Sequence, residues 1–193
     1  MIIGIDIDDV LAESNLAFDK YHNKKYGTNF KKADHYTFDL GKIWNVTEDE
    51  CTARLVDFFN SGHSLNIEPV TGAKEALLEL AKDNELKVIT ARMEDFKDHT
   101  VEWLAKHYPS HLLEVHHANH YYGLNTNKKS DLCLKLGVEV LIDDCLEFAE
   151  ECAEKGIKVL LLDSPWNQCD DLSDNIIRVK TWDEIVTCIK TLT

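Results

Sequence analysis

The chain has 193 residues, 44% of them hydrophobic and 29% charged, with 8 glycines, 3 prolines and a formal net charge of −14. That length and balance suit one α/β core with a small accessory unit, and they exclude a disordered or collagen-like chain. So acidic a surface also argues against docking on a nucleic-acid polymer, but not against a small phosphorylated ligand held by a metal and a few local cations.

In chain order, Ile2-Ile3-Gly4-Ile5-Asp6-Ile7 is a short apolar run and is expected to be a buried strand. It is too short for a signal peptide or a membrane span, so no membrane association is expected. From about Ala12 to Ile67, charge and aromatics recur at helical spacing with no run of strands, which predicts a helical insertion. A helix is expected over 73–83 with Ala76, Leu77, Leu80 and Ala81 inward, then a strand over 86–90. Next come a helix over 95–107 with Val101, Leu104 and Ala105 inward, and a weaker strand over 113–117. A helix over 130–136 closed by Gly137 follows, then a strand over 138–143 and a helix over 146–155 closed by Gly156. Strands over 157–162 and 176–179 precede a last helix opened by Thr181 and Glu184, which have capping-box spacing. Strands alternating with helices predict an α/β fold with a doubly wound parallel sheet, its site at the carboxyl ends of the strands.

Six cysteines occur without any CxxC pair, so free thiols in a reducing cytoplasm are expected and no zinc site is implied. His116, His117 and His120 resemble a metal cluster, but no acidic ligand stands at a matching spacing. Cys145 has no paired base and is expected to be a buried thiol at a helix start.

The informative segment is Asp6-Ile7-Asp8-Asp9-Val10-Leu11, directly after the first strand. Three carboxylates in four residues repel one another, and a divalent cation is one remedy; oxygen-only ligands suit magnesium. An acid-rich helix cap is the plainer alternative. A second pair, Asp143-Asp144, ends another predicted strand and can lie beside the first cluster in a parallel sheet, which favours a shared metal. Thr90 ends a third strand and offers a hydroxyl; Lys128-Lys129 precede a helix that leads to Asp143. A hydroxyl, an ammonium, a metal and a free carboxylate are what phosphoryl transfer requires.

These elements, in this order, resemble the four motifs of the haloacid dehalogenase superfamily: Asp6-Ile7-Asp8-Asp9-Val10, then Thr90, then Lys129 in preference to Lys128, then Asp143-Asp144. The resemblance implies a Mg2+-dependent phosphatase in which Asp6 attacks phosphorus and Asp8 serves as general acid and then base. It implies that Mg2+ is held by Asp6, the Asp8 carbonyl and Asp144, with Asp143 close by. Thr90 and Lys129 would grip the phosphoryl oxygens. Arg92, two residues past Thr90, suits either a contact to phosphate or substrate or a surface ion pair. Dehalogenases of the superfamily lack the second Asp, so Asp8 points to phosphate chemistry. Between Asp6 and Thr90 the chain has room for an extra unit, so residues 14–67 are expected to form a helical cap on a core of 1–13 and 68–193.

A narrower resemblance is to the 5'(3')-deoxyribonucleotidases. It is carried by Leu65 to Ala73 after Phe58-Phe59, by Ile142-Asp143-Asp144, and, in bacterial and viral relatives, by Thr90-Ala91-Arg92 and Pro165-Trp166-Asn167. Asp9 departs from it, since the mammalian enzymes carry Gly there, and Thr90-Ala91-Arg92 differs from their segment. The resemblance implies a nucleoside monophosphate as substrate, with Phe18 as first candidate to stack on the base and Tyr36, Phe38 and Trp44 behind it. Each of these aromatics more readily suits the small core of the insertion itself. A phosphatase or phosphomutase for a sugar phosphate is the alternative on the same scaffold. A phosphoacceptor signalling module is disfavoured, because there the acidic pair ends the first strand and the phosphoacceptor a middle one. The sequence leaves a homodimer through the insertion helices open.

Overall fold

The structure, a computed structural model, describes residues 1–108, 114–118 and 128–192. The strands are β1 (Ile2–Ile5), β2 (Glu85–Thr90), β3 (Glu114–His117), β4 (Val140–Asp143), β5 (Lys158–Leu162) and β6 (Ile176–Val179). Among the described residues they form one six-stranded sheet, all parallel, in the order β3-β2-β1-β4-β5-β6. The order of strand addition reverses at β1, which places the switch point between β1, followed directly by Asp6, and β4, which ends in Asp143.

Alternation along each strand builds two apolar layers. Ile3, Ile5, Val88, Val140, Ile142, Leu160 and Leu162 face one side. Ile89, Leu141, Val159 and Leu161 face the other, toward Cys133, Ala149 and Cys152. Helices α4 (Ala73–Leu80), α5 (Lys97–His107) and α8 (Trp182–Leu192) cover the first side, and α6 (Lys129–Lys135) and α7 (Leu146–Glu154) the second. Gly4 sits at a close approach on β1: a Cβ there would lie 3.0 Å from Ile89 Cδ1 and 3.1 Å from Val138 Cγ1.

Between β1 and α4 lie α1 (Ser14–Tyr26), α2 (Leu40–Trp44) and α3 (Glu48–Asn60). Their ends follow from local chemistry. Asp39 accepts the Gly41 and Lys42 amides, Thr47 accepts the Glu50 amide, and Gly27 at φ 68° closes α1. Aromatics hold them together. Phe18 meets Phe58 edge-on at 4.9 Å, and Trp44 stacks on His22 at 4.4 Å.

The inner face of α5 differs from expectation. Val101 is 48% exposed and Ala105 is exposed, while Thr100, Trp103 and Leu104 are buried. A 3-10 turn at Glu94–Phe96 delays the helix to Lys97, and the large Trp103 ring takes the core. Ala81 likewise lies outside, because α4 ends at Leu80. No described helix is long and apolar enough to cross a membrane, and all six cysteines are free thiols.

Buried aromatic donors staple the two chain segments at the root of the insertion. Trp182 Nε1 donates to the Val10 carbonyl (3.1 Å), Tyr108 to that of Leu11 (2.8 Å) and Trp103 Nε1 to that of Ile67 (2.9 Å). Glu13 N–H to Glu68 O and Val70 N–H to Leu11 O, both 2.9 Å, tie the segments to each other. Trp182→Phe keeps an aromatic ring but strands the Val10 carbonyl, so it should lower unfolding free energy by about 1–3 kcal/mol in urea denaturation.

Candidate active site

The apolar run ends as a strand at Ile5, not Ile7, because the backbone turns directly after Asp6. Asp6 N–H still bonds Ile142 O at 3.0 Å, so the Asp6 side chain stands beside the end of β4. The Leu11 and Ala12 amides then fold back onto Ile7 O, and Asp9 adopts φ 56°. Asp is among the residues that tolerate this left-handed conformation. The loop therefore presents Asp6, Asp8 and Asp9 at the carboxyl edge of the sheet.

Lys129 opens α6 and is fully buried. Its Nζ donates to Asp6 Oδ1 (2.7 Å) and Asp143 Oδ2 (2.5 Å). Lys128, its rival in the sequence, is exposed and pairs with Glu151. The other Asp143 oxygen accepts the Cys145 amide (2.9 Å). Asp144 is held by Trp166 Nε1 on Oδ2 (2.7 Å), and its backbone carbonyl by Asn167 Nδ2 (2.7 Å). Carboxylate oxygens of Asp6, Asp143 and Asp144 lie within 4.8 Å of one another, an all-oxygen donor set that fits a hard divalent cation. Among the described residues, Asp6 Oδ2 and Asp144 Oδ1 remain without hydrogen bonds, which leaves one donor on each side of the set.

The electrostatics agree with that donor set. Burial pushes the Asp6 carboxyl up to about 7, against the pull of Lys129 and with a further push from Asp143 and Asp8. Burial, then repulsion from Asp143, Asp9 and Asp6, holds Asp144 well above the usual range, and burial with the Asp8 charge does the same to Asp9. Burial opposes charge on Lys129 too, but Asp143 and Asp6 outweigh it and keep the ammonium protonated.

Asp8 is treated differently. Burial would raise it, yet the Arg92 guanidinium and hydrogen bonds from Arg92 and Ser14 hold it below the ordinary value. Arg92 Nε reaches Asp8 Oδ2 at 2.9 Å and NH2 reaches Oδ1 at 2.7 Å, while Ser14 Oγ donates to Oδ1 at 2.5 Å. Thr90 is buried and accepts the Arg92 amide at 3.1 Å. Arg92, a phosphate or substrate candidate in the sequence, is buried and clamps Asp8. Ser14, Trp166 and Asn167 were not singled out for these contacts by sequence. Trp166 and Asn167 follow β5, the neighbour of β4, and that topology is the signal that finds them.

A cavity of about 760 Å³ opens over this edge, lined by Asp6, Asp8, Asp9 and Asp144 from the core and by Phe18 and Phe38 from the insertion. Tyr36 and Trp44 do not line it. Tyr36 is 69% exposed, and Trp44 is spent on His22 in the insertion's own core. Cys145 is buried at the start of α7. His116 and His117 lie on β3 outside the acidic cluster, and His120 lies outside the described residues.

Fold and acidic strand ends together are those of a haloacid dehalogenase-type hydrolase. A hydrolase of that superfamily from Deinococcus radiodurans R1, solved with phosphate and sodium, superposes with a TM-score of 0.65 at 14% identity, covering 98% of this chain and 95% of the other. The chain belongs to the family described as 5' nucleotidase, deoxy (pyrimidine), cytosolic type C, whose model matches residues 1–192. It is 27% identical over 183 residues to a nucleotidase of Clostridium acetobutylicum, covering 95% of this chain and 90% of the relative. It is 26% identical over 186 residues to a 5'(3')-deoxyribonucleotidase of Bacillus subtilis strain 168, covering 95% of each. The chain is a phosphoric monoester hydrolase of the nucleotidase class.

Because Asp6 is raised from 3.8 to about 7, the metal-free folded protein binds more protons than the unfolded chain across that window. This contribution to stability therefore falls as pH rises from about 4 to about 7. Thermal unfolding of metal-free protein should show a steeper loss between about pH 4 and 7 than Asp6→Asn does. Lys129→Met leaves Asp6 and Asp143 facing each other unpaired, and should cost about 3–5 kcal/mol in chemical denaturation.

Proposed function

We infer that the protein is a Mg2+-dependent nucleoside monophosphate phosphatase that works through an aspartyl-phosphate on Asp6. The observation that carries this is the position of Asp6: it lines the cavity with one oxygen held by Lys129 and the other unbonded, beside a second acidic strand end. Asp6 and Asp144 would hold the metal, with the Asp8 carbonyl, and with Asp143 fixed behind them by Lys129 and the Cys145 amide. When bound, magnesium supplies positive charge that offsets the clustered carboxylates and draws electron density from the phosphoryl oxygens.

The remaining chemistry belongs to the chain. A carboxylate oxygen of Asp6 attacks phosphorus as the ester P–O bond breaks, and Asp8 delivers a proton to the departing oxygen. In the second half, Asp8 takes a proton from water as that water attacks the acyl-phosphate, releasing inorganic phosphate and restoring Asp6. At rest Arg92 and Ser14 keep Asp8 ionised. An arriving phosphate dianion competes for Arg92 and raises Asp8 toward the protonated form required of an acid. Lys129 and the Thr90 hydroxyl stabilise charge on the transferred group.

Residues 14–67 act as a cap domain on the core of 1–13 and 68–193, excluding water and placing Phe18 and Phe38 against the base. Support for a nucleotide comes from the nucleotidase relatives and from a cavity of about 760 Å³ with aromatic walls, a volume in the range of small-molecule sites. Free thiols throughout suit a cytoplasmic enzyme.

The test is phosphate release from a panel of nucleoside monophosphates and hexose phosphates, with Mg2+ or with EDTA. Nucleotides should be preferred, EDTA should stop turnover, and Asp6→Asn and Asp8→Asn should each lower kcat by more than about 10²-fold. Full activity in either variant, or a preference for hexose phosphates, contradicts the assignment.

A further inference from the structure

Arg178 stands on the edge strand β6, two strands from the acidic pair that follows β4, in the run Ile176-Ile177-Arg178-Val179. Its half-buried guanidinium meets the 3-10 turn Pro165–Asn167 that follows β5. NH1 donates to Asn167 Oδ1 (2.5 Å) and to Asp163 Oδ1 (3.0 Å), and NH2 donates to the Asn167 carbonyl (2.7 Å). An ion pair with Asp163 alone would need neither bond to Asn167. Both go to that one fully buried residue.

Those bonds dictate how the Asn167 amide is turned. A guanidinium and a backbone N–H can only donate. Arg178 NH1 and the Ser164 amide (3.2 Å) both meet Oδ1, so Nδ2 must face the other way. There it donates to the carbonyls of Leu162 (2.8 Å), the last residue of β5, and of Asp144 (2.7 Å), the first after β4. Trp166, in the same turn, holds Asp144 Oδ2 at 2.7 Å. One turn therefore grips Asp144 at two atoms, and Arg178 fixes that turn from the β6 side. A buried network whose members are all satisfied is rigid.

We propose that Arg178 is a positioning residue for the divalent cation, acting through Asn167 to set the place of Asp144, an assignment that rests on Asp144 being a ligand. Outer partners of this kind orient a ligand and tune affinity without touching the metal. The sign of the effect separates this role from plain charge. A positive group near a cation site repels the ion, so its removal should tighten binding. Loss of the hold on Asp144 should weaken it. Arg178→Met keeps the bulk of the stem and removes every donor.

The experiment measures Mg2+ binding to the substrate-free protein by calorimetry, and Mn2+ binding by electron paramagnetic resonance of the free ion. Arg178→Met should raise Kd for both ions by about five- to tenfold, near the low end of what is lost with an outer hydrogen-bond partner. Arg178→Lys, which keeps a donor for Asn167 Oδ1, should recover part of that loss. In an Asn167→Ala background, adding Arg178→Met should change Kd by less than about twofold, because the relay is already cut. The Mg2+ concentration for half-maximal phosphate release should rise by the same factor as Kd. Circular dichroism and Tm check the fold, and Arg178→Lys keeps the test open if the Met variant is unstable. Unchanged or tighter binding in folded Arg178→Met, or losses that add in the double variant, overturns the relay. Asp144→Asn separates the two assignments. If it loses the ions while Arg178→Met keeps them, the relay falls and the metal site stands. If it binds them as the wild type does, or the wild type binds neither, the metal site falls and the relay with it.

Discussion

In a parallel sheet the carboxyl ends of neighbouring strands open on one edge, so Asp6 after β1 and Asp143 at the end of β4 meet about one strand spacing, ~4.8 Å, apart. Two buried carboxylates at that distance cannot both stay ionised without help. Lys129 supplies it from the first turn of α6, fully buried with Nζ on both. The surrounding bonds fix the same edge. The Cys145 amide takes the second Asp143 oxygen, and Trp166 and Asn167, carried in by the turn after β5, hold Asp144.

The same loop places its carboxylates in different environments. Asp6 faces Lys129 and the acidic pair and is pushed up to about 7, first by burial. Asp8, two residues on, is lowered because Arg92 and Ser14 outweigh its burial. Environments that drive two acids apart in this way are the usual basis for dividing nucleophile from acid–base duty. The division depends on the left-handed turn at Asp9 and on the aromatic staples from Trp103, Tyr108 and Trp182, which anchor the segments leading to and from the insertion. A loose root there would blur the position of Asp8 as much as that of the cavity roof.

Most of the fold was legible because its signals are local or periodic. Short apolar runs ending in aspartate, glycine closures and a Thr181/Glu184 cap can all be read from neighbours in the chain, and Thr181 Oγ1 does accept the Glu184 amide at 3.2 Å. What depends on helix phase was misread. A 3-10 turn shifted α5 so that Trp103 took the core in place of Val101 and Ala105. Lys128 and Lys129 are alike in sequence, and only the docking of α6 on the sheet turns one inward and leaves the other on the surface. Arg92 suited an anion contact or an ion pair, and the partner it has, Asp8, is too distant in sequence to be read from its neighbours. Tyr36 and Trp44 show the limit of composition: an aromatic in a small insertion can be solvent-facing or core, and nothing in its own sequence neighbourhood separates these from a cavity wall.

The central claim is that a carboxylate oxygen of Asp6 takes the phosphoryl group from the ester. Rapid acid quench of the enzyme with a 32P-labelled nucleoside monophosphate, followed by peptide mapping, tests it directly. The expected result is an acid-stable, hydroxylamine-labile label on the peptide containing Asp6, absent from Asp6→Asn. Turnover without any labelled peptide, or with the label on another residue, would contradict it.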